Sequence, residues 1–145
     1  MLSDNFCSSP WFHIKLSYNG DYHNCRWYKS RPTGVNIRDT GLLEFYNSDS
    51  MRKFRNDMLA GEKVLGCKEC YYQDTVDKLN GRHKQLLKSG IQVKDFARTF
   101  RSSPHYDHFL YSSQNQGHAD YAPTDLQIEL SNVCNNACIM CYPSS

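Results

Sequence analysis

Residues 12–25 read FHIKLSYNGDYHNC, and this stretch predicts the nucleus of the fold. Its first half alternates apolar and polar residues, which is the period-two pattern of a half-buried β-strand. The Asn19-Gly20 dipeptide that follows is typical of a type I′ turn, in which both central residues have positive φ. A return strand over residues 22–28 would complete an antiparallel hairpin and would contain Cys25.

Helices are predicted after the hairpin. Apolar residues recur at helical spacing over 51–59, residues 48–50 can cap the start of that helix, and Gly61 is placed to end it. Residues 71–79 predict a shorter helix that ends at Asn80-Gly81.

Two features of the last third of the chain predict a linker followed by a strand. Residues 112–117 read SSQNQG, which is polar and without periodicity, as expected of a linker. Residues 126–130 read LQIEL and alternate again, which predicts a further strand.

The composition restricts the classes of function. The chain has 145 residues, 39% hydrophobic, and a net charge of +2, which is too small for the electrostatic footprint of a nucleic-acid-binding protein. No apolar window approaches the roughly 18 residues of a membrane span. The opening MLSDNFCSSPWF lacks the basic and apolar regions of a secretory signal. We therefore expect a cytoplasmic protein that does not associate with a membrane.

The seven cysteines fall into two groups, a dispersed four and a tight three near the C-terminus. An odd number without a signal sequence disfavours a disulfide framework and favours metal binding. The four are Cys7, Cys25, Cys67 and Cys70, and the three are Cys134, Cys138 and Cys141.

The dispersed group has the spacing of a four-thiolate metal site. The two ends of an antiparallel hairpin lie close together, so Cys7 and Cys25 can face one metal. Cys67 and Cys70 form a C-x-x-C pair at the start of a predicted helix, where the helix dipole favours thiolate. Four thiolates suit an iron–sulfur cluster and a structural zinc ion alike, and the spacing leaves both open.

The C-terminal group has the spacing C-x3-C-x2-C directly after a predicted strand. Three thiolates are one short of the four ligands of a structural zinc ion. On a four-iron cluster, three thiolates leave one iron open to a cofactor or substrate. A short loop of small residues can wrap such a cluster and offer backbone N–H groups to its sulfides.

The segment LQIELSNVCNNACIMCYPSS, residues 126–145, resembles the first barrel strand and cluster loop of the radical S-adenosylmethionine (radical SAM) enzymes, whose signature is CxxxCxxC. The resemblance implies that Cys134, Cys138 and Cys141 hold a [4Fe–4S] cluster and that its open iron binds S-adenosyl-L-methionine. It further implies that one electron from the cluster cleaves that cofactor to methionine and a 5′-deoxyadenosyl radical, which abstracts a substrate hydrogen.

The pattern Cys7-x12-Gly20-x4-Cys25, followed by Cys67-x2-Cys70, resembles the SPASM and shorter twitch modules attached to radical SAM enzymes. This second resemblance implies an auxiliary [4Fe–4S] cluster on those four cysteines. Because four thiolates close the coordination, the resemblance implies a role in electron transfer or substrate binding for that cluster.

We therefore expect an α+β chain in three parts. Residues 1–81 form a small hairpin-plus-helices module with metal-binding cysteines, 82–122 form a basic helical segment and polar linker, and 123–145 begin an incomplete radical SAM (β/α) barrel. A complete barrel needs on the order of 200 residues. The chain is thus expected to be the N-terminal part of an oxidoreductase, inactive alone. The resemblance implies a reductant protein such as flavodoxin or ferredoxin as partner and a peptide as candidate substrate.

Two alternatives remain. The first is a small structural zinc- or Fe–S-binding module that acts as an interaction protein without catalysis. The second is an adaptor that binds RNA or peptide through a basic stretch, which the net charge of +2 disfavours, so we expect no nucleic-acid partner. The basic residues of that stretch are Arg82, Lys84, Lys88, Lys94, Arg98 and Arg101.

Overall fold

The computed structural model describes residues 5–25, 33–76 and 80–131. The C-terminal cysteines Cys134, Cys138 and Cys141 lie outside these ranges. None of the helices within them has the length and apolar character that crossing a membrane requires. The elements, in chain order, are α1 (Ser9–Phe12), β1 (His13–Leu16), β2 (Tyr22–His23), α2 (Leu42–Tyr46), α3 (Asp49–Ala60), α4 (Lys68–Thr75), α5 (Gly81–Lys88), α6 (Phe96–Arg101), α7 (Tyr106–Gln114) and β3 (Asp125–Ile128).

Strand β1 lies at the centre of a three-stranded sheet, between β2 and β3. The β1–β2 pair is antiparallel, with Lys15 opposite His23, which confirms the predicted hairpin. Strand β3 confirms the strand predicted near residue 126, and it pairs in parallel with β1, with Ile14 opposite Leu126. The two ends of the described chain therefore meet in one sheet. The described residues are a mixed α/β structure and do not show the expected barrel.

The hairpin turn differs from the predicted type I′ turn. The Gly20 N–H donates to the Ser17 carbonyl at 2.8 Å, and the Ser17 N–H donates to the Asp21 carbonyl at 3.0 Å, which gives a three-residue loop. Gly20 has φ +90°, whereas among the described non-glycine residues φ is positive only at Gln116. A type I turn followed by a glycine bulge needs one positive φ instead of two. Strand β2 ends at His23, so Cys25 follows this strand and does not lie within it.

The helices follow the predicted pattern in part. Helix α3 begins after Ser48 and ends at Gly61, whose φ of +77° confirms the predicted stop. Helix α4 begins and ends earlier than the predicted 71–79. Asn80 does not end that helix but begins the next one, because its side-chain oxygen accepts the His83 N–H at 3.0 Å. Asparagine occurs both at the ends of helices and, more strongly, at their N-caps, so the sequence alone did not show which helix Asn80 belongs to.

The linker predicted at 112–117 is wrong. Helix α7 continues to Gln114, and the side chain of Ser112 is fully buried. The Ser112 hydroxyl accepts a hydrogen bond from Trp11 Nε1 at 2.9 Å and donates to the His118 carbonyl at 2.6 Å. A hydroxyl that has both a donor and an acceptor as partners can be buried at little cost. Ser112 and Gly117, at the two ends of this stretch, are buried, whereas residues 113–116 are exposed.

An aromatic cluster around Phe6 forms the centre of the core. Phe6 is fully buried, and its ring centroid lies 5.4 Å from that of Trp11, 5.2 Å from Phe100 and 5.5 Å from Phe109. Aromatic rings at these distances contribute about 0.5–1.5 kcal/mol per pair beyond the burial of their surface. Because Phe6 directly precedes Cys7, this core fixes the backbone that carries the first cysteine.

An ion-pair cluster on Asp125 links β3 to the rest of the protein and predicts acid sensitivity. The Asp125 carboxylate lies 3.1 Å from Nδ1 of buried His13 and 3.2 Å from Nζ of Lys88. Partial burial raises the pKa of Asp125, but the hydrogen bonds from His13 and Lys88 outweigh it and hold the pKa below its ordinary value of 3.8. A lowered folded-state pKa adds stability above the unfolded-state pKa, and this stability is lost as the pH falls through the folded-state value.

We expect wild-type protein to be more stable than Asp125→Asn at neutral pH, and the difference to disappear as the pH falls below about 4. Urea unfolding of both proteins from about pH 6 to about pH 3 measures it. Asp107→Asn, which changes an exposed aspartate, is the matched control and should track the wild type. A difference between wild type and Asp125→Asn that stays constant over this range would contradict the prediction.

Candidate metal centre

The four dispersed cysteines line one cavity. The cavity has a volume of about 20 Å³ and is bordered by Cys7, Cys25, Cys67 and Cys70, together with apolar side chains of α3. Cys7 is buried, the other three are half-buried, and all four are present as thiols. Such a volume admits about one water molecule. The structure therefore brings together the four N-terminal cysteines that the spacing had grouped.

The hairpin and α1 position the first two cysteines. Cys7 lies between the Phe6 core and α1, and the Ser9 N–H at the start of that helix donates to Cys7 Sγ at 3.4 Å. Cys25 lies two residues beyond the end of β2. Because β1 and β2 are antiparallel, the end of β2 lies at the same end of the hairpin as the start of β1, as predicted.

Helices α3 and α4 position the other two. Helix α3 places Phe54 and Met58 on the wall of the cavity, and the left-handed Gly61 turns the chain back from its end. Cys67 is the N-cap residue of α4, and Cys70 lies in the first turn of that helix. The C-x-x-C pair at a helix start is thus confirmed.

Burial is the largest influence on the pKa of three of these thiols, Cys7, Cys67 and Cys70. It raises the pKa of Cys7 well above the ordinary value of 9.0, and the neighbouring Cys25 raises it further. Burial also raises the pKa of Cys67 to about 12 and raises that of Cys70. At Cys67 and Cys70, burial therefore outweighs the helix dipole, which was expected to favour the thiolate form. A metal that binds here must displace protons from the thiols.

Hydrogen-bond donors surround the same sulfur atoms. Besides the Ser9 N–H on Cys7, the Tyr71 hydroxyl donates to Cys67, and the Arg82 backbone N–H donates to Cys70. The Tyr71 hydroxyl is itself fixed by the Val64 N–H at 3.3 Å. Donors of this kind stabilise a negatively charged sulfur, as a thiolate or as a metal ligand.

The donor set fits an iron–sulfur cluster, because such clusters are held by cysteine thiolates. In the part of the chain that the structure describes, no three Cys, His, Asp or Glu side chains are arranged around a single point at the distances of a metal ion's ligands. The four thiols instead surround a small space.

A buried polar network adjoins the cavity, and the sequence analysis missed it. Arg82, assigned there to a basic surface, is only 6% exposed, and its Nη2 lies 2.6 Å from Asp74 Oδ2. His83 Nε2 lies 2.9 Å from the other Asp74 oxygen, and the Asn80 amide donates to the Cys70 carbonyl at 3.0 Å. The one sequence signal for this network is Asn80-Gly81, once it is interpreted as a helix start.

The other basic residues of the same stretch are partly neutralised. Lys88 pairs with Asp125, and Arg98 pairs with Asp95 in an exposed ion pair. With Arg82 paired to Asp74, three of the six basic residues contact carboxylates. The predicted basic face is therefore weaker than the sequence suggests.

The matched family agrees with this geometry. Residues 7–71 match the SPASM family, described as an Iron-sulfur cluster-binding domain. The match, hereafter the SPASM segment, begins at Cys7 and ends one residue after Cys70, so it contains all four cysteines of the cavity. SPASM domains are typical of radical SAM enzymes. No curated protein and no solved structure matches the chain.

Proposed function

We propose that the SPASM segment binds an auxiliary [4Fe–4S] cluster through Cys7, Cys25, Cys67 and Cys70. The observation that carries the proposal is that these four thiols line one cavity inside a segment that matches an iron–sulfur cluster-binding domain. Four thiolate ligands leave no iron open to a substrate. The proposed role is therefore electron transfer, or support of a neighbouring substrate site, and not bond cleavage at this cluster.

The protein's own residues supply three things to such a cluster. Phe54 and Met58 form an apolar wall that limits the access of water. The Ser9 and Arg82 backbone N–H groups and the Tyr71 hydroxyl point at cysteine sulfurs and hold them in place. Bound there, the cluster would supply a one-electron redox centre.

The finer part of the proposal concerns the whole enzyme. We propose that Cys134, Cys138 and Cys141, which follow β3, hold a second [4Fe–4S] cluster that binds S-adenosyl-L-methionine for reductive cleavage. The support is the CxxxCxxC spacing together with the SPASM segment, since such segments are typical of radical SAM enzymes. The same proposal includes a cytoplasmic oxidoreductase, a flavodoxin or ferredoxin as reductant, and a peptide as substrate.

Anaerobic reconstitution with iron and sulfide tests the proposal. The wild-type chain should bind about eight iron and about eight sulfide ions, four of each per cluster. The variant Cys134→Ala/Cys138→Ala/Cys141→Ala, hereafter the four-cysteine variant, keeps no cysteines other than those of the cavity. We expect it to retain about four iron and about four sulfide ions.

Further substitution of Cys67→Ser and Cys70→Ser in the four-cysteine variant should abolish the remaining iron and sulfide, because two thiolates cannot hold the cluster. Zinc analysis of the same samples separates the structural alternative. One zinc per four-cysteine variant, with no sulfide after reconstitution, would contradict the auxiliary cluster and favour a structural zinc site.

A further inference from the structure

Arg82 is the one residue with a charged side chain among the described residues that line the cysteine cavity. It is 6% exposed, so solvent screens its charge little. Its own backbone N–H donates to Cys70, and its guanidinium acts electrostatically on both Cys67 and Cys70. A buried cation thus lies close enough to Cys67 and Cys70 to favour negative charge on their sulfurs.

Asp74 and the core backbone hold the guanidinium in this position. Arg82 Nη2 and Nε lie 2.6 Å and 3.2 Å from Asp74 Oδ2, and Nη1 donates to the Phe6 carbonyl at 3.4 Å. Phe6 directly precedes Cys7, so Arg82 connects the backbone at Cys7 with the sulfur of Cys70. Because the planar guanidinium is hydrogen-bonded both to Asp74 and to the Phe6 carbonyl, its positive charge is held in one position.

We infer that Arg82 sets the reduction potential of the cluster proposed at Cys7, Cys25, Cys67 and Cys70, and that it raises this potential. The inference rests on the proposed function, because it requires a cluster at these residues. One-electron reduction adds negative charge to a site that already carries four thiolates. A nearby buried cation stabilises the reduced state more than the oxidised state, and hydrogen bonds to the ligand sulfurs act in the same direction.

Asp74 has the opposite charge and therefore gives an independent test. The Asp74 carboxylate positions Arg82, but its negative charge opposes that of the guanidinium at Cys70. Asp74 is not among the residues that line the cavity, whereas Arg82 is. Neutralising Arg82 should thus lower the reduction potential, and neutralising Asp74 while Arg82 is kept should raise it.

The experiment uses the full-length four-cysteine variant, in which the only cluster is the one at the cavity. Each protein is reconstituted anaerobically and titrated with dithionite as the electron donor, and the reduced cluster is measured by EPR. Arg82→Gln should lower the ratio of reduced to oxidised cluster about tenfold at a fixed potential, which is about 59 mV for a one-electron couple. Arg82→Lys should restore most of it, and Asp74→Asn should raise it.

Lys84→Gln is the matched control, because it removes one positive charge from an exposed position of the same helix. Its potential should equal that of the parent, whereas a purely structural role of Arg82 would change the yield of cluster without changing its potential. An unchanged potential in Arg82→Gln would overturn the inference. If Arg82→Gln assembles no cluster, the reduction potential of Asp74→Asn tests the inference instead. A potential in Asp74→Asn that is equal to or lower than that of the parent would overturn the inference. Failure of the parent to assemble a cluster would instead contradict the proposed function.

Discussion

Replacement of Arg55 by methionine is expected to lower the free energy of unfolding by about 3–5 kcal/mol. Arg55 is fully buried, and its guanidinium donates to the carbonyls of Tyr46 at 2.7 Å, Pro10 at 2.9 Å and Gly117 at 2.9 Å. It also lies 4.3 Å from the centroid of the Tyr46 ring. Methionine fills much of the volume but leaves three buried carbonyls without donors, each at a cost of about 1–3 kcal/mol.

Arg52→Met on the same helix is the matched control. Arg52 is half-buried, and it donates to the carbonyl and the side chain of Gln116, an exposed residue. A surface contact of this kind contributes at most about 1 kcal/mol. Urea unfolding of both variants measures the difference. Equal losses of stability would show that the buried carbonyls find other donors and would contradict the argument.

The Arg55 network also supports the candidate metal centre. Helix α3, which carries Arg55, also presents Phe54 and Met58 to the cysteine cavity, and the Pro10 carbonyl belongs to α1, whose Ser9 N–H donates to Cys7. Loss of Arg55 is therefore expected to loosen two walls of the cavity together.

Local patterns predicted the hairpin, α3 and the C-x-x-C pair, because each depends on residues close together in sequence. The alternation before Gly20 predicts β1 itself but not its burial, because His13 and Ile14 are both buried while Lys15 and Leu16 are half-buried. The C-x-x-C spacing places Cys67 and Cys70 at one helix start. The turn type was wrong, since a dipeptide preference does not specify loop length.

Buried charges could not be predicted in this way. Arg55, Arg82 and Asp74 are residue types that are normally exposed, so periodicity and composition assign them to the surface. Arg55 and Arg82 are buried because carbonyls far away in sequence accept their hydrogen bonds, that of Gly117 for Arg55 and that of Phe6 for Arg82. Asp74 is half-buried because it pairs with Arg82. The pairing of β3 with β1 could not be predicted either, because the alternation within a strand does not specify which strand it pairs with.

Gly117→Ala is expected to destabilise the protein by about 2–5 kcal/mol, whereas Gly34→Ala should cost only about 1–2 kcal/mol. Both glycines have left-handed backbones, with φ +78° and +76°, so the conformational penalty of a side chain is the same. A Cβ on Gly117 would lie 2.3 Å from the backbone carbonyl oxygen of Arg52, while a Cβ on Gly34 would meet nothing within 4 Å. A backbone atom of α3 cannot move aside without disturbing the helix, and Gly117 also supplies one of the acceptors of Arg55. Urea unfolding of the two variants measures the difference in their free energies of unfolding, which isolates the cost of the contact with Arg52. Equal destabilisation would mean that the backbone at residue 117 is free to shift away from α3.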